Sequence, residues 1–179
     1  MTFGWPGYDP AGYDRSQTLL EAAGERLDSL RGARICSVYT AWDIEDERWC
    51  ASSPIVFELE DMRLEIGFKL KCQMTLTFGE LSLESVSGAG FRGPGPSAER
   101  RLPYQWRTDR AELAPFVGRF ILGADLLEKR GGRQGLLGIC FRTDGGALEL
   151  VNRATTGGAE ITINPADYDR AAVRRVIAI

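Results

Sequence analysis

Between Trp42 and Trp49 the chain sets four carboxylates, Asp43, Glu45, Asp46 and Glu47, beside one guanidinium, Arg48. Two large rigid aromatic surfaces framing concentrated negative charge suit recognition of a basic protein partner. Tryptophan supplies anchoring contact area, and the carboxylates steer and orient association. Asp43, Glu45 and Glu47 alternate, so an extended strand would present all three on one face. The run lacks the D-x-D-x-D-G spacing and distal glutamate of a calcium loop, and no metal site is assigned to it. The competing expectation is a solvated hairpin loop whose tryptophans fold back onto the core. Trp42, Asp43, Glu45, Asp46, Glu47 and Trp49 are the candidate partner-binding residues.

The chain contains no histidine. That removes Ser-His and Cys-His nucleophile activation, a histidine general base and most catalytic zinc sites. No catalytic residue and no cofactor are assigned, and the expectation is a protein that is not an enzyme. Cys36, Cys50, Cys72 and Cys140 lie far apart with no C-x-x-C spacing, which fits reduced thiols in a cytoplasmic protein. Cys36 and Cys140 are expected to fill core space, and Cys50, beside Trp49, to be the most exposed. Glu65 and Glu149 each sit between apolar neighbours, on the opposite strand face, where solvent or another strand's arginine is expected; if that face lines a barrel cavity instead, the two are symmetry-related polar groups inside it. Gly88 to Gly93 superficially resembles a phosphate loop but lacks the Gly-Lys-Ser/Thr ending, so it is taken as linker. Arg100-Arg101 and Arg174-Arg175 have no interleaved aromatics for base stacking and are expected to be solvated.

A net charge of −3 gives no overall electrostatic footprint for nucleic acid. No apolar run approaches the ~20 residues of a membrane-spanning helix, and residues 1–14 do not have the pattern of a signal peptide. With 179 residues, 44% of them hydrophobic, one domain can bury a sufficient core without disulfides or metal.

The elements that must carry the Trp42–Trp49 segment are read from periodicity. Residues 1–14, with Phe3, Trp5, Tyr8 and Tyr13, form an irregular aromatic arm expected to dock on a surface. Leu20, Ala23, Leu27 and Leu30 recur at helical spacing, with capping boxes at Asp14/Gln17 or Thr18/Glu21 and Gly32 past the end. Strands are expected over 34–41, 54–60, 64–68 and 73–78, with 81–86 as a fifth. A second short helix starts near Asp109 and is limited by Pro115. Strands then follow over 119–128, 136–143, 147–152 and 159–164, the middle pair joined by an Asp-Gly turn at Asp144. A short helix over 165–176 is expected to close the chain.

The two halves look like copies. Leu27, Leu30, Gly32 and Ile35 are matched by Leu113, Phe116, Gly118 and Ile121. Val56, Phe57, Leu64, Glu65 and Ile66 are matched by Cys140, Phe141, Leu148, Glu149 and Leu150, and Met74 and Leu76 by Ile161 and Ile163. Repeated units bury against one another apolar faces that neither could bury alone. The expected fold is α+β and β-rich: two helix-plus-four-strand repeats forming an antiparallel sandwich or partly open barrel. The chain divides as unit one at 15–86, linker at 87–107, unit two at 108–165 and tail at 166–179. The loop equivalent to Trp42–Trp49, Glu128 to Gln134, is basic instead.

The run L-x-G-x-x-I, the Trp-Asp loop, I-V-F-E-L-E-D, L-E-I and I-C-F-R-T-D-G-G-A-L-E-L-V-N, within residues 28–165, resembles small bacterial duplicated α+β proteins, many of them actinobacterial. Similar compact proteins look like immunity or interaction proteins of toxin systems. The resemblance implies a binding role and transfers no site residue. The expectation is therefore a cytoplasmic protein-interaction protein, immunity-like, with a basic partner. A small-molecule-binding sandwich or barrel with a central apolar cavity is the alternative. Exposed sheet edges are compatible with a homodimer.

Overall fold

The computed structural model describes residues 5, 7–69, 73–84, 90–92, 99–101, 103–129, 135–153, 158–164 and 173–177, the backbone alone at 90–92, 99–101 and 173–177. Phe3, Cys72, residues 130–134 of the basic loop, residues 87–89, 93–98 and 102 of the linker and the start of the expected C-terminal helix lie outside the described residues.

Helix α1 spans Ser16–Asp28 and buries Leu19, Ala23 and Leu27, a stripe at i, i+4 and i+8. Neither expected capping box forms. Arg15 precedes the helix in extended conformation with no side-chain cap. The orphan donor is met from far away: Glu128 Oε1 accepts the Ser16 N–H at 2.7 Å and the Ser16 hydroxyl at 2.5 Å. A carboxylate at that end also complements the helix dipole.

The strands are β1 Ile35–Asp43, β2 Arg48–Trp49, β3 Ile55–Leu59, β4 Arg63–Lys69, β5 Gln73–Thr77, β6 Gly90–Arg92, β7 Glu99–Arg101, β8 Tyr104–Arg107, β9 Ile121–Lys129, β10 Leu136–Thr143, β11 Gly146–Arg153, β12 Gly158–Ile163 and β13 Val173–Ile177. Among the described residues they make two larger antiparallel sheets, one ordered β2-β1-β3-β4-β5 with β8 also on β1, the other β12-β11-β10-β9-β13. β6 and β7 pair as a separate hairpin. The sheets do not close into a barrel. They share one core, in which Phe57 of β3 and Phe141 of β10 meet at 5.4 Å between ring centroids, with Leu64, Met74, Leu148 and Leu150 around them.

Three expected elements differ. The second helix is a single 3-10 turn, Ala114–Phe116, with Pro115 inside it. Leu81–Glu84 is not a strand, although Leu81 is buried. Val173–Ile177, expected partly as helix, is a strand paired with β9 from Val173↔Lys129 to Ile177↔Asp125. Backbone bonds offered by a neighbouring edge outweigh the weak local preference of Val-Arg-Arg-Val-Ile.

The turns at Gly32 and Gly118 join the two halves reciprocally. Gly32 N–H donates to Ile121 O at 2.8 Å and Gly118 N–H to Ile35 O at 2.7 Å, while Ile35 and Ile121 return bonds to Arg119 O and Ala33 O. Both glycines have φ near the left-handed value, +85° and +84°. An L side chain there costs about 1–2 kcal/mol. Gly32→Ala and Gly118→Ala are therefore each expected to lose about that much in urea unfolding, and by closely matched amounts. Nothing crowds a Cβ at either position, so strain alone sets the loss.

Candidate functional site

The Trp42–Trp49 segment is a hairpin rather than a loop. β1 runs on to Asp43, β2 returns at Arg48, and Trp42 and Trp49 face each other as Cα partners, with Asp43 opposite Arg48. β8 flanks β1 on its other side, pairing Thr40 with Arg107 and Trp42 with Gln105. Strand alternation then puts Trp42, Trp49, Thr40 and Arg107 on one face, and Ala41, Asp43, Tyr104 and Trp106 on the other.

The carboxylates do not share a face. Asp43 is buried, and its Oδ1 accepts the N–H groups of Glu45 at 3.0 Å and Asp46 at 3.3 Å, which fixes the turn. Glu47, at φ +49°, swings to Arg107 and receives two parallel bonds, 2.7 and 3.1 Å. That fork geometry holds the Glu47 carboxyl below its ordinary range, through the hydrogen bond first and the positive charge second, and raises the Arg107 guanidinium. Asp46 bonds Arg48 at 2.7 Å. Among the described residues no cluster of three or more Cys, Asp or Glu side chains is placed to hold a metal ion.

Both tryptophans carry a guanidinium. Arg107 Cζ lies 5.4 Å from the Trp42 ring centroid, and Arg110 Cζ 3.7 Å from that of Trp49. Arg110 also pairs with Glu112 at 2.8 Å, and burial lowers its guanidinium from the ordinary value. The Trp42 indole donates to Thr40 Oγ1 at 3.0 Å, whereas the Trp49 indole N–H is buried without an acceptor. Trp49 therefore packs partly onto the core, while Glu45, Asp46, Glu47 and Arg48 are exposed. At the tip Ile44 is 44% exposed, an apolar residue among charges. Periodicity in the sequence gives no signal for Ile44, and Arg107 and Arg110 lie about 60 residues away in a segment expected as linker and helix start.

Cys50 is half-buried rather than exposed. Its burial, followed by the Asp43 charge, pushes the thiol up to about 11. Thiolate is the reactive form, and only about one part in a thousand exists at pH 8. Alkylation by iodoacetamide, read at Cys50 by peptide mass, is expected to be slow at pH 8 and to accelerate about tenfold per pH unit up to pH 10. A rate that is fast and flat over this range contradicts the burial. Cys140 is fully buried as expected, but Cys36 is only half-buried, like Cys50, and is not part of the buried core.

Glu65 and Glu149, expected to face solvent or an arginine, are both fully buried. Glu65 accepts from Thr77 Oγ1 at 2.7 Å and from the N–H groups of Gly79 at 2.9 Å and Glu80 at 3.4 Å, with Arg63 Nε at 3.6 Å. Tyr8 lies above it, bonded to Thr77 at 2.9 Å. Because the Thr77 proton goes to Glu65, Tyr8 is the donor. Burial raises the Tyr8 phenol well above its ordinary value. This cage is a structural device, since both carboxylate oxygens are occupied by donors of the fold.

No helix among the described residues is long and apolar enough to cross a membrane. No family model, curated protein or solved structure matches the chain.

Proposed function

We propose that this chain is a non-catalytic, immunity-like interaction protein that engages a protein partner through the β1–β2 hairpin. The observation that carries the reading is the tip: Ile44 is exposed on a turn whose backbone is fixed by Asp43 and beside a Glu47 carboxylate held by Arg107. A rigid projection with one apolar anchor and an ordered charged rim loses little conformational entropy on binding. Asp46 and Glu47 are each paired with one arginine, Arg48 and Arg107, and Glu45 adds a further exposed carboxylate, so a basic partner remains favoured. We also infer that the halves arose by duplication. The reciprocal Gly32 and Gly118 bonds support this, and the hairpin is then a feature that one copy elaborated.

A photo-crosslinking residue in place of Ile44 tests the reading in cells that express the protein. The expected result is one salt-sensitive adduct from position 44 that is absent from position 163, an exposed site on β12. Trp42→Ala with Glu45→Lys should abolish it. Identical adducts from both positions, or none, overturn the proposal.

A further inference from the structure

Arg110 uses only half of its fork. Its guanidinium is 16% exposed and lies over the Trp49 ring, 3.7 Å from the centroid. The edge shared by Nε and Nη2 presents two parallel N–H groups, a match for two oxygens of one anion. Glu112 meets one of them, its Oε1 accepting from Nη2 at 2.8 Å. Nε, the neighbouring donor on the same edge, is buried without an acceptor among the described residues. So is the indole N–H of Trp49, in the ring beneath. Two buried donors without partners in one stacked pair are costly, and packing alone does not account for them. Glu112 is no obstacle. It is 50% exposed, lies two residues along the chain and bonds through one oxygen, so an incoming anion displaces it at small cost.

A second cation stands close by. Arg153 ends β11 opposite Gly158, and the next residue, Ala159, donates its N–H at 2.7 Å to the carbonyl of Ala51, two residues past Trp49. Burial lowers the Arg110 guanidinium from its ordinary value; Glu112 opposes the shift, and the charge of Arg153 adds to it. Arg153 pairs with Glu160 at 3.3 Å, both 55% exposed. Two guanidinium groups brought together, each answered by a half-exposed carboxylate, are stabilised by an anion that serves both. The donors also lie at two levels, the guanidinium edge and the indole below it. A planar carboxylate fills the fork alone, whereas a tetrahedral phosphate carries further oxygens out of that plane.

We propose that the Trp49–Arg110 stack, together with Arg153, is a binding site for a phosphate group, and that Glu112 is its stand-in within the chain. Phosphate takes Nε and Nη2 together while Glu112 turns to solvent. The site uses none of the exposed hairpin residues 44–48, so it stands apart from the protein-partner reading.

The test is isothermal titration calorimetry of the full chain with inorganic phosphate, phenyl phosphate and acetate. Inorganic phosphate and phenyl phosphate distinguish the free ion from a monoester, the tighter of the two naming the occupant. Glu112→Ala is expected to tighten that binding about tenfold, as for a fork that Glu112 leaves open about a tenth of the time. Glu25→Ala removes the same charge from an exposed position on α1 and should leave the affinity unchanged. Arg110→Lys keeps the charge without the fork and should weaken binding at least about tenfold. Should circular dichroism show Arg110→Lys unfolded, Arg153→Gln replaces it and should weaken binding about fivefold. Absence of saturable phosphate binding to Glu112→Ala, equal tightening by Glu25→Ala, acetate bound as tightly as phosphate, or a folded arginine variant that binds like wild type overturns the proposal.

Discussion

Replacing Glu65 with alanine is expected to lower unfolding stability by about 3–5 kcal/mol, because three donors of the fold lose their acceptor at roughly 1–3 kcal/mol each. The Glu65 side chain is fully buried and serves four groups: the Thr77 hydroxyl, the Gly79 and Glu80 N–H groups and the Arg63 guanidinium. Alanine leaves two backbone donors and a hydroxyl facing a void that no side chain can fill. For a domain of this size each kcal/mol is worth about 2–4 °C, so the melting temperature should fall by about 10 °C. Glu65→Gln keeps the shape but turns an amide N–H towards donors, and should cost roughly half as much. Thr77→Val removes both the hydroxyl donated to Glu65 and the acceptor of the Tyr8 phenol, and should cost about 1–3 kcal/mol. A loss under ~1 kcal/mol for Glu65→Ala means the cage is wet and the carboxylate expendable. Urea unfolding by circular dichroism, followed beside Trp fluorescence, separates these outcomes.

The strands are legible in the sequence because each half-buried run alternates or is continuously apolar. Leu136–Thr143 has its expected bounds, and the Asp144-Gly145-Gly146 turn follows it with Gly146 at φ +125°. The glycines ending each helical segment are legible for the same kind of local reason. Pro115 also speaks through the sequence, since a ring that cannot donate keeps its helix to one turn. What the sequence hides depends on distant partners. Tyr104–Arg107 alternates two aromatics but sits beside Gly/Pro-rich linker, and it becomes a strand because β1 offers an edge. Local caps are the natural expectation for the helix start at Ser16, whereas Glu128 supplies the acceptor from the far end of the fold. The hairpin residues stand out by type, but their chemistry does not. Residues 43–47 show four carboxylates, and only the fold brings Arg107 against Glu47 and Arg110 against Trp49. Residue types locate charge, while its neutralisation is a tertiary property.

Gly138→Ala is expected to cost about 4 kcal/mol or more, enough to place it among the most damaging single substitutions in the chain. Gly138 lies in β10 between Leu127 of β9 and Val151 of β11, where the β9 register shifts. A Cβ built there overlaps the Leu150 carbonyl oxygen and stands 3.0 Å from both Leu150 C and Val151 Cα. All three obstacles are backbone, so no side-chain rotation relieves them. The strands must part, and the same displacement strips ladder bonds from Ile139 and Phe141, which face Leu126, Leu148 and Leu150 in the shared core. Glycine inside a strand marks this kind of close approach. The helical Gly24 provides the opposite case. Its Cβ would meet only Leu20 Cβ, at 4.0 Å, so Gly24→Ala should stabilise by about 0.5–1 kcal/mol through the helix preference alone. Guanidinium unfolding of the two variants side by side should therefore move their midpoints in opposite directions. Equal shifts would mean that β10 and β11 are farther apart at Gly138 than the register requires.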